Sequence, residues 1–401
     1  MNNPVIEKLV PGGQGIATLP SGIKGFFWNA LPGETVLEYR ITKKKSKYFE
    51  AVAEKISEPS KRRISPRDNC FLSTSPWQIM GYAYELDQKR ELLIEIFRQN
   101  GLENFFEGPK TWPSGPERPE KNVFQTVLSD NVDFNYRNKM EYSLYYDKDL
   151  EKIFPAFHQR GAHRKIPIEK SGIERPEIFK KALEIIADLN ARGEEARKYQ
   201  SLVLRCDQSG KVSGGLYENG KPHPVFDNLT DEILGHEYSY SPNGFFQINL
   251  PVYEMALEEI KKHITTEKVL DLYAGVGTIG LSVARDRELK LVEVDKAAYA
   301  ELERNAKNAE TFLSKSEEAL DFIAPDQTVI VDPPRAGCDE KLIAKLNETK
   351  PEKIIYLSCN PATQARDVKV LLENYKIEKM TPYNFFPRTP HLENLVILAR
   401  K

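Results

Sequence analysis

The segment 268–280 reads KVLDLYAGVGTIG and determines the fold predicted for the C-terminal part of the chain. Residues 269–273 have the length and apolar content of a buried strand, and they lead directly into three glycines. Gly275 and Gly277 allow a tight turn and a close approach of the backbone to a ligand, and Gly280 allows the next helix to pack closely. The pattern by itself is weak, because a dinucleotide enzyme or a simple tight turn also explains it.

On both sides of this segment, from about Tyr238 onward, strand and helix candidates alternate. Strands are predicted at 268–273, 289–294, 328–331, 353–358 and 394–398, and helices at 280–285, 296–309, 339–347 and 363–373. Such alternation predicts an α/β fold with a parallel, doubly wound, Rossmann-like sheet. Ligands of these sheets bind at the carboxyl ends of the strands.

The rest of the chain has a different pattern. The first 57 residues contain short apolar runs separated by PGG at 11–13 and LPGE at 31–34, which predicts a small OB-like β-barrel. The middle is mixed, with helices predicted at 85–100 and 178–190, paired strands at 132–146 and a proline-rich loop at 108–119. The sequence therefore predicts three domains: a barrel at 1–57, a central α+β domain at 58–235 and the doubly wound domain at 236–401.

The composition excludes several classes of protein. Among 401 residues, 40% are apolar and 29% are charged, which is typical of a globular protein and not of a disordered or fibrous one. No signal peptide is expected at the start, and the uncharged stretch 272–284 is too short to cross a membrane. The four cysteines show neither close pairing nor metal-binding spacing, which favours a reducing cytoplasm. We expect a monomer without a membrane anchor.

The net charge of −2 hides an asymmetry. Residues 1–67 contain 12 Lys and Arg against 6 Asp and Glu, a charge of +6, which leaves −8 for the remainder. Two basic runs, KKKSK at 43–47 and KRR at 61–63, contribute to this excess. A basic N-terminal module on an acidic body is expected where one domain binds a polyanion such as RNA.

Three polar residues lie at the ends of successive predicted strands. Glu293 lies 18 residues after Gly275, where a carboxylate can bind the ribose hydroxyls of a nucleoside cofactor. Asp332 precedes two prolines that fix an extended turn. Cys359 precedes Asn-Pro at the end of its strand, where a thiol beside a cofactor is placed for nucleophilic attack, although a single cysteine is more often a buried structural residue.

A thiol in this place suits one kind of chemistry. Carbon 5 of uracil is too weak a nucleophile to attack a methyl sulfonium unaided, and addition of a thiolate to carbon 6 produces an enolate that can do so. A base must afterwards remove the proton from carbon 5. Glu393, just before the last predicted strand, is the best-placed candidate, and His391 is its rival.

The motifs together resemble the RNA uridine-5-methyltransferases of transfer RNA and large-subunit ribosomal RNA over nearly the whole chain. They are DLYAGVG at 271–277, DPPR at 332–335, SCNP at 358–361 and TPHLE at 389–393. The resemblance implies an S-adenosylmethionine-dependent enzyme with a TRAM-like N-terminal barrel and with Cys359 as nucleophile and Glu393 as base. It further implies cofactor contacts from Gln247, Tyr273, Glu293 and Asp332 beside Gly275 and Gly277, and a base pocket lined by Phe245 and Asp332.

The chain departs from the family pattern in two places. Leu72, Ser75 and Ser171 stand where many members have cysteine ligands of an iron–sulfur cluster, and Cys70 does not fit the spacing. One thiolate cannot hold a cluster that needs about four ligands, so no iron–sulfur cluster is expected. In addition, FLSKS at 312–316 lacks the acidic residue usual near the cofactor adenine.

Three other functions share some of these features. A nicotinamide oxidoreductase explains the glycine loop and Glu293, but neither Asp332-Pro-Pro nor Cys359-Asn-Pro. An RNA-binding protein with an inactive enzyme domain needs neither Cys359 nor Glu393, and a methyltransferase acting on a base nitrogen needs no cysteine. The predicted barrel favours ribosomal RNA over transfer RNA as the substrate.

Overall fold

A computed structural model describes residues 3–106, 124, 126–169, 171–223 and 226–401 of the chain. Contacts between Cα atoms divide it into two compact units. The first unit comprises Met1–Leu92, Asn131–Leu229 and Phe386–His391, and the second comprises Leu93–Asp130, Thr230–Phe385 and Leu392–Lys401. The proline-rich loop predicted at 108–119 lies outside the described residues, and the three domain boundaries given above stay predictions.

The N-terminal part of the first unit is a five-stranded sheet. Its strands in spatial order are β1, β2, β3, β5 and β4, with β1 at Lys8–Leu9, β2 at Gly15–Thr18, β3 at Lys24–Trp28, β4 at Thr35–Lys44 and β5 at Tyr48–Ser57. Phe27 and Phe49 pack edge to face with ring centroids 5.5 Å apart, and Val36 and Ala51 are fully buried beside them. This alternation of buried and exposed side chains gives the small module its own apolar core.

A six-stranded sheet and helices form the rest of the first unit. Helix α1 spans Phe71–Thr74. The longer α2 spans Tyr82–Gln99, and its residues up to Leu92 belong to the first unit whereas those from Leu93 belong to the second. Helix α3 buries Ile178, Ala182 and Leu189 in the apolar core that the sheet also lines. The strands in spatial order are β11, β10, β9, β6, β7 and β8, with β6 at Lys139–Asp147, β7 at Lys152–His158, β8 at Lys165–Pro167, α3 at Pro176–Ala191, β9 at Ser201–Cys206, β10 at Val212–Glu218 and β11 at Lys221–His223.

The paired strands predicted at 132–146 are wrong in their first half. Only the stretch from Lys139 onward is a strand. The N–H groups of Asn135 and Arg137 instead donate to the carbonyls of Gly172 and Ile173, both at 2.9 Å. The polar groups of this segment are therefore satisfied by a distant part of the chain, which local alternation does not reveal.

The second unit contains a seven-stranded sheet, and the predicted doubly wound α/β fold is confirmed. Its strands in spatial order are β16, β15, β14, β17, β18, β20 and β19. In chain order the elements of this region are β12 at Leu229–Ile233, β13 at His236–Tyr240, α4 at Leu250–Lys262, β14 at Lys268–Asp271, α5 at Thr278–Ala284, β15 at Glu288–Glu293, α6 at Lys296–Asn305, β16 at Glu310–Leu313, β17 at Gln327–Val331, α7 at Glu340–Thr349, β18 at Lys353–Ser358, α8 at Pro361–Leu371, β19 at Tyr375–Tyr383 and β20 at Glu393–Arg400.

Burial explains why the central strands read as unbroken apolar runs. Every residue of β17 and β18 is buried, as expected for strands covered on both faces. Leu272, Val329, Tyr356 and Val396 belong to the same core. No helix among the described residues is long and apolar enough to cross a membrane.

The last strand departs from the predicted parallel arrangement. β14 pairs in parallel with β15 and β17, and β17 with β18, whereas β20 is antiparallel to both β18 and β19. No helix lies in the connection 384–392, and a parallel pair would need a crossover of a dozen or more residues. Because β20 runs in the opposite direction, its first residue lies at the edge where the other strands have their carboxyl ends.

Candidate active site

The strand order reverses between β14 and β17, and a crevice is expected at the carboxyl ends of these two strands. The glycine loop follows β14. Gly275 has φ +56° and Gly277 has φ +93°, a region that favours glycine. A Cβ on Gly275 would meet nothing within 4 Å, whereas one on Gly277 would come within 2.7 Å of Leu281. The loop thus has an open side at Gly275 and a packed side at Gly277.

Asp271 joins the strand to the helix that follows the loop. Its side chain is fully buried and accepts a hydrogen bond from the N–H of Gly280 at 3.0 Å. Burial raises the pKa of this carboxyl to about 7. A Cβ on Gly280 would lie 2.6 Å from Leu291, so the helix and the sheet pack together as closely as glycine allows.

Glu293 ends β15 and closes the glycine loop from the other side. One carboxylate oxygen accepts from the N–H of Gly275 at 2.8 Å. The other accepts from the N–H groups of Val294 at 2.7 Å and Asp295 at 2.6 Å. Since a carboxylate offers about four lone-pair positions, Glu293 retains about one for a ribose hydroxyl.

Gln247 and Tyr273 lie on segments next to this loop. Gln247 is 7% exposed and comes two residues before Asn249, which precedes α4. Tyr273 follows β14 directly and is partly buried, and burial raises the pKa of its hydroxyl. Both side chains belong to the second unit, as the glycine loop does.

The two phenylalanines at 245 and 246 have opposite environments. Phe246 is 3% exposed and stacks on Tyr240 with ring centroids 3.8 Å apart, so it belongs to the core. Phe245 is 73% exposed. An aromatic ring left in solvent is available for stacking on a nucleic-acid base.

Cys359 and Glu393 lie opposite each other across the two strands β18 and β20. Ser358 pairs with Asn394 in this antiparallel ladder. Continuing the register by one residue pairs Cys359, which follows β18, with Glu393, which begins β20. Side chains at directly opposite positions lie on the same face of the sheet and within contact distance.

Electrostatics link these two groups to Asp332, which follows the neighbouring strand β17. Burial, followed by the charges of Glu393 and Asp332, raises the pKa of the Cys359 thiol to about 11. Burial and then Asp332 raise the pKa of Glu393 well above its usual range. Burial, followed by Asp271, raises the pKa of Asp332 to about 7. The three acidic groups therefore do not all ionise together near neutral pH, and the thiol of the free protein is protonated.

The structure adds two residues to which the sequence assigned no role. Arg335 is exposed, hydrogen-bonds to the Cys359 side chain and opposes the rise in the pKa of both Cys359 and Glu393. Arg335 belongs to the motif DPPR, so the sequence alone could have marked it as a candidate site residue.

Tyr253 of α4 is buried, and its hydroxyl is 2.8 Å from that of Thr278. Burial, followed by the charges of Asp332 and Asp271, raises the pKa of Tyr253, and the influence of these two carboxylates places it beside the site. Helical periodicity marks Tyr253 only as a core residue.

His391, the rival base, is assigned to the other unit. It is exposed and lies in the segment Phe386–His391, which is grouped by its contacts with the first unit. Its ring centroid is 6.1 Å from that of Phe386 in the same segment.

A polar cluster in the first unit contains Ser75 and Ser171, two of the three positions where the resemblance places cluster cysteines. Asp68 accepts from the Cys70 thiol at 3.2 Å and from the Gln78 amide at 2.9 Å, and that amide also donates to the Ser75 hydroxyl at 2.7 Å. Ser171 donates to Glu174. Burial, with Asp68, raises the pKa of the Cys70 thiol. A protonated thiol with hydroxyl and amide neighbours does not fit an iron–sulfur cluster, which is held by thiolates.

We expect the purified protein to lack an iron–sulfur cluster even when it is prepared without oxygen. Iron and acid-labile sulfide should be far below stoichiometric amounts, and the absorbance of a cluster in the visible range should be absent. Cys70→Ser should leave both measurements and the methyl transfer unchanged. Stoichiometric iron and sulfide in the anaerobic protein would contradict this prediction.

Comparison with known proteins finds several similar chains. The profile of a family described as tRNA (Uracil-5-)-methyltransferase matches residues 317–401. A protein of Bacillus cereus named as an uncharacterized RNA methyltransferase is 28% identical over 99% of this chain and 96% of its own length. A Staphylococcus aureus protein of the same designation is 29% identical over 94% of this chain and 93% of its own length.

A solved structure is similar over the whole length. It is the Pyrococcus abyssi tRNA (uracil-54, C5)-methyltransferase in complex with S-adenosyl-L-homocysteine, with 25% identity and a TM-score of 0.75. The match covers 99% of this chain and 100% of the Pyrococcus chain. The chain is thus similar over nearly its whole length to proteins named as RNA methyltransferases and to a tRNA (uracil-54, C5)-methyltransferase whose structure contains S-adenosyl-L-homocysteine.

Proposed function

We propose that this enzyme methylates carbon 5 of a uridine in RNA through a covalent adduct with Cys359. The observation that carries the proposal is the register of β18 and β20, which sets Cys359 opposite Glu393 beside Asp332. A nucleophile and a base on the same face of a sheet can act on adjacent carbons of one ring.

S-adenosylmethionine, when bound, supplies the methyl group as an electrophilic sulfonium. Glu293 and the open side of the loop at Gly275 would hold its ribose, and Gln247, Tyr273 and Asp332 would hold the remainder. Gly275 offers room at its Cβ position, and Glu293 retains an acceptor site, so these residues fit a nucleoside cofactor.

The residues of the chain act in two stages. The Cys359 thiol first loses its proton to solvent, and the resulting thiolate adds to carbon 6 of uracil. The electrons of the ring double bond move to oxygen 4, which makes carbon 5 a nucleophile. After carbon 5 has gained the methyl group, the Glu393 carboxylate removes the proton from that carbon. The ring double bond re-forms, the bond from carbon 6 to sulfur breaks, and the Cys359 thiolate is released. Arg335 assists both residues by favouring their ionised forms.

The target uridine has to leave its stack to reach Cys359, so we propose that it is flipped out of the RNA. Phe245, which is 73% exposed, is placed to stack on the base. The barrel predicted at residues 1–57 is proposed to bind the RNA backbone. We further propose that the protein is a monomer located in the cytoplasm, as expected from its sequence.

Two RNA classes are candidates for the substrate. The N-terminal module favoured ribosomal RNA in the sequence. The Pyrococcus protein, named for its action on transfer RNA, aligns with 99% of this chain, including that module. The module therefore no longer separates the two classes, and transfer RNA becomes an equal candidate.

Transfer of tritium from methyl-labelled S-adenosylmethionine tests the proposal. Unmodified transcripts of transfer RNA and large-subunit ribosomal RNA are the two substrates, and the label should appear in 5-methyluridine of one of them. Mapping of 5-methyluridine in both RNAs from a strain lacking the gene then identifies the site. Label in a methylated adenine or guanine, or in neither RNA, would refute the proposed function.

Glu293→Ala should weaken cofactor binding. Loss of the charge-assisted hydrogen bond to the ribose should cost about 1–3 kcal/mol, and the N–H of Gly275 also loses its acceptor. Calorimetric titration with S-adenosylhomocysteine measures the effect. Glu310→Ala, which removes an exposed carboxylate from the neighbouring strand β16, is the control and should leave the affinity unchanged. Unchanged affinity in a folded Glu293→Ala protein would remove Glu293 from the cofactor site.

A further inference from the structure

A second concave site lies in the second unit, at the carboxyl ends of α5 and α6. It is a cavity of about 360 Å³. Its walls are the start of β13, the last turns of the two helices and the loop after α6; the lining residues that matter here are His236, Glu237, Arg285, Arg304, Asn305 and Lys307. Helix α5 begins next to Gly277 of the glycine loop and ends next to Arg285. Seven helical residues span about 10 Å, which separates the cavity from the cofactor loop.

Three cations surround this cavity. Arg285, Arg304 and Lys307 are exposed, and within the described residues none of them forms a salt bridge with a carboxylate. By contrast, Arg287, two positions after Arg285, lies 3.3 Å from Glu267. The lining contains one carboxylate, Glu237, so the cavity carries a net positive charge.

The positive charges near the cavity affect the pKa of His236, which lies in the cavity wall. Burial lowers the pKa of His236, and the charges of Arg285 and Lys261 lower it further, against the opposing charge of Glu232. His236 is therefore neutral at neutral pH and offers a ring N–H or a lone pair to a ligand without adding charge.

One side chain connects the cavity wall with the cofactor loop. The Asn305 amide donates to the carbonyl of Ser239 at 3.1 Å and to that of Val276 at 3.0 Å. Its oxygen accepts from the N–H of Ser239 at 3.1 Å. Val276 lies between Gly275 and Gly277, so the cavity has a fixed position relative to the loop that is proposed to hold the cofactor.

We propose that this cavity binds phosphate groups of the RNA backbone and is a second RNA contact, separate from the N-terminal module. A concave site with three cations, one carboxylate and neutral polar groups fits a phosphodiester, and the substrate presents one phosphate per nucleotide. The inference rests on the proposed action on RNA. Cations in the last turn of a helix also interact favourably with the helix dipole, so the test has to separate RNA binding from helix stability.

The test compares two triple variants with the wild type. The first is Arg285→Gln/Arg304→Gln/Lys307→Gln. The second, Lys341→Gln/Lys369→Gln/Lys376→Gln, is a matched control: it removes three exposed cations of the same unit that also lack a carboxylate partner among the described residues. Binding to a fluorescein-labelled transcript that the wild type methylates is measured by anisotropy over a range of salt. Calorimetry with S-adenosylhomocysteine and thermal melting verify that both variants are intact.

The cavity variant should bind the transcript about tenfold more weakly than the wild type at physiological salt, and its slope of log affinity against log salt should fall by about 1–2. The control variant should keep the wild-type slope. Equal slopes in the two variants, or a lower melting temperature of the cavity variant with unchanged RNA affinity, would overturn the proposal.

Inorganic phosphate, substituted for chloride at equal ionic strength, distinguishes a free ion from RNA phosphate. Phosphate should reduce the difference between the two variants, because it competes with RNA for the same cations. A cavity that binds inorganic phosphate while the two variants bind RNA alike in chloride would be a site for a free phosphate ion, and the RNA contact would be overturned. If the wild type methylates neither transcript, the proposed function fails and this inference fails with it. A wild type that methylates RNA while both variants bind alike refutes the cavity alone.

Discussion

Cys359→Ala should abolish methyl transfer, with a loss on the order of 10⁴-fold or more, because residues that act together as one catalytic unit lose most of their effect when one is removed. Without the thiol no adduct forms at carbon 6, and carbon 5 stays unreactive. Binding of RNA and of S-adenosylhomocysteine should be largely kept. Single-turnover tritium transfer measures the loss of methylation. Denaturing gel electrophoresis after incubation with 5-fluorouridine RNA measures the loss of the covalent adduct.

The fluorinated RNA should trap the wild type because fluorine cannot leave as a cation. Cys338→Ala is a suitable control. Cys338 is a buried cysteine of the same unit, and burial, with the charge of Asp367, raises the pKa of its thiol to about 12. This variant should still form the trapped complex. A complex that persists in Cys359→Ala would overturn the mechanism.

Glu393→Gln should separate the two halves of the reaction. The amide keeps the shape of the side chain but cannot accept the proton from carbon 5. The first half should proceed, and the second should become slower by about 10²–10⁴-fold, the range typical of general base catalysis. A protein–RNA adduct should therefore accumulate on ordinary uridine RNA and survive denaturing electrophoresis. Near-normal turnover would reassign the base, and His391→Ala would then be the next variant to measure.

The same variant should also change the titration of the thiol. The charge of Glu393 is the second largest cause, after burial, of the raised pKa of Cys359. Glutamine in place of Glu393 carries no charge and removes this contribution. The pKa of Cys359 in Glu393→Gln should consequently lie below about 11. The rate of alkylation by iodoacetamide as a function of pH measures this shift, which should be absent in Glu310→Ala.

The sequence predicted those strands and helices whose pattern of apolar residues follows directly from which of their own side chains are buried. The strands that lead to Asp271 and Cys359 were recognised because almost all of their residues are buried, so their apolar runs are nearly continuous. The strand that ends at Glu293 was recognised from its buried residues Leu289, Leu291 and Val292. The edge strand β16, with no fully buried residue, and the long strand β19, with alternating exposed residues at its start, were missed. The segment before Lys139 was misread because its partners, Gly172 and Ile173, are distant in sequence.

The residues of the site also divide into those that the sequence alone marks and those that only the folded chain reveals. Glycines, strand-end carboxylates and the cysteine carry a signal because each follows a predicted strand directly. The roles of Arg335 and Tyr253 depend on which elements become neighbours in space. Likewise, only the folded chain distinguishes Phe245, which is exposed, from Phe246, which is in the core.

The protonated state of Cys359 has a consequence for chemical proteomics. Reagents that survey cysteines in cell lysates react with the thiolate, and a thiol with a pKa of about 11 presents very little thiolate at neutral pH. Such a survey should rank this nucleophile among unreactive cysteines. Covalent probes for this enzyme should instead carry a pyrimidine ring whose carbon 6 accepts sulfur, so that recognition by the pocket, and not intrinsic thiol reactivity, selects the residue that is labelled.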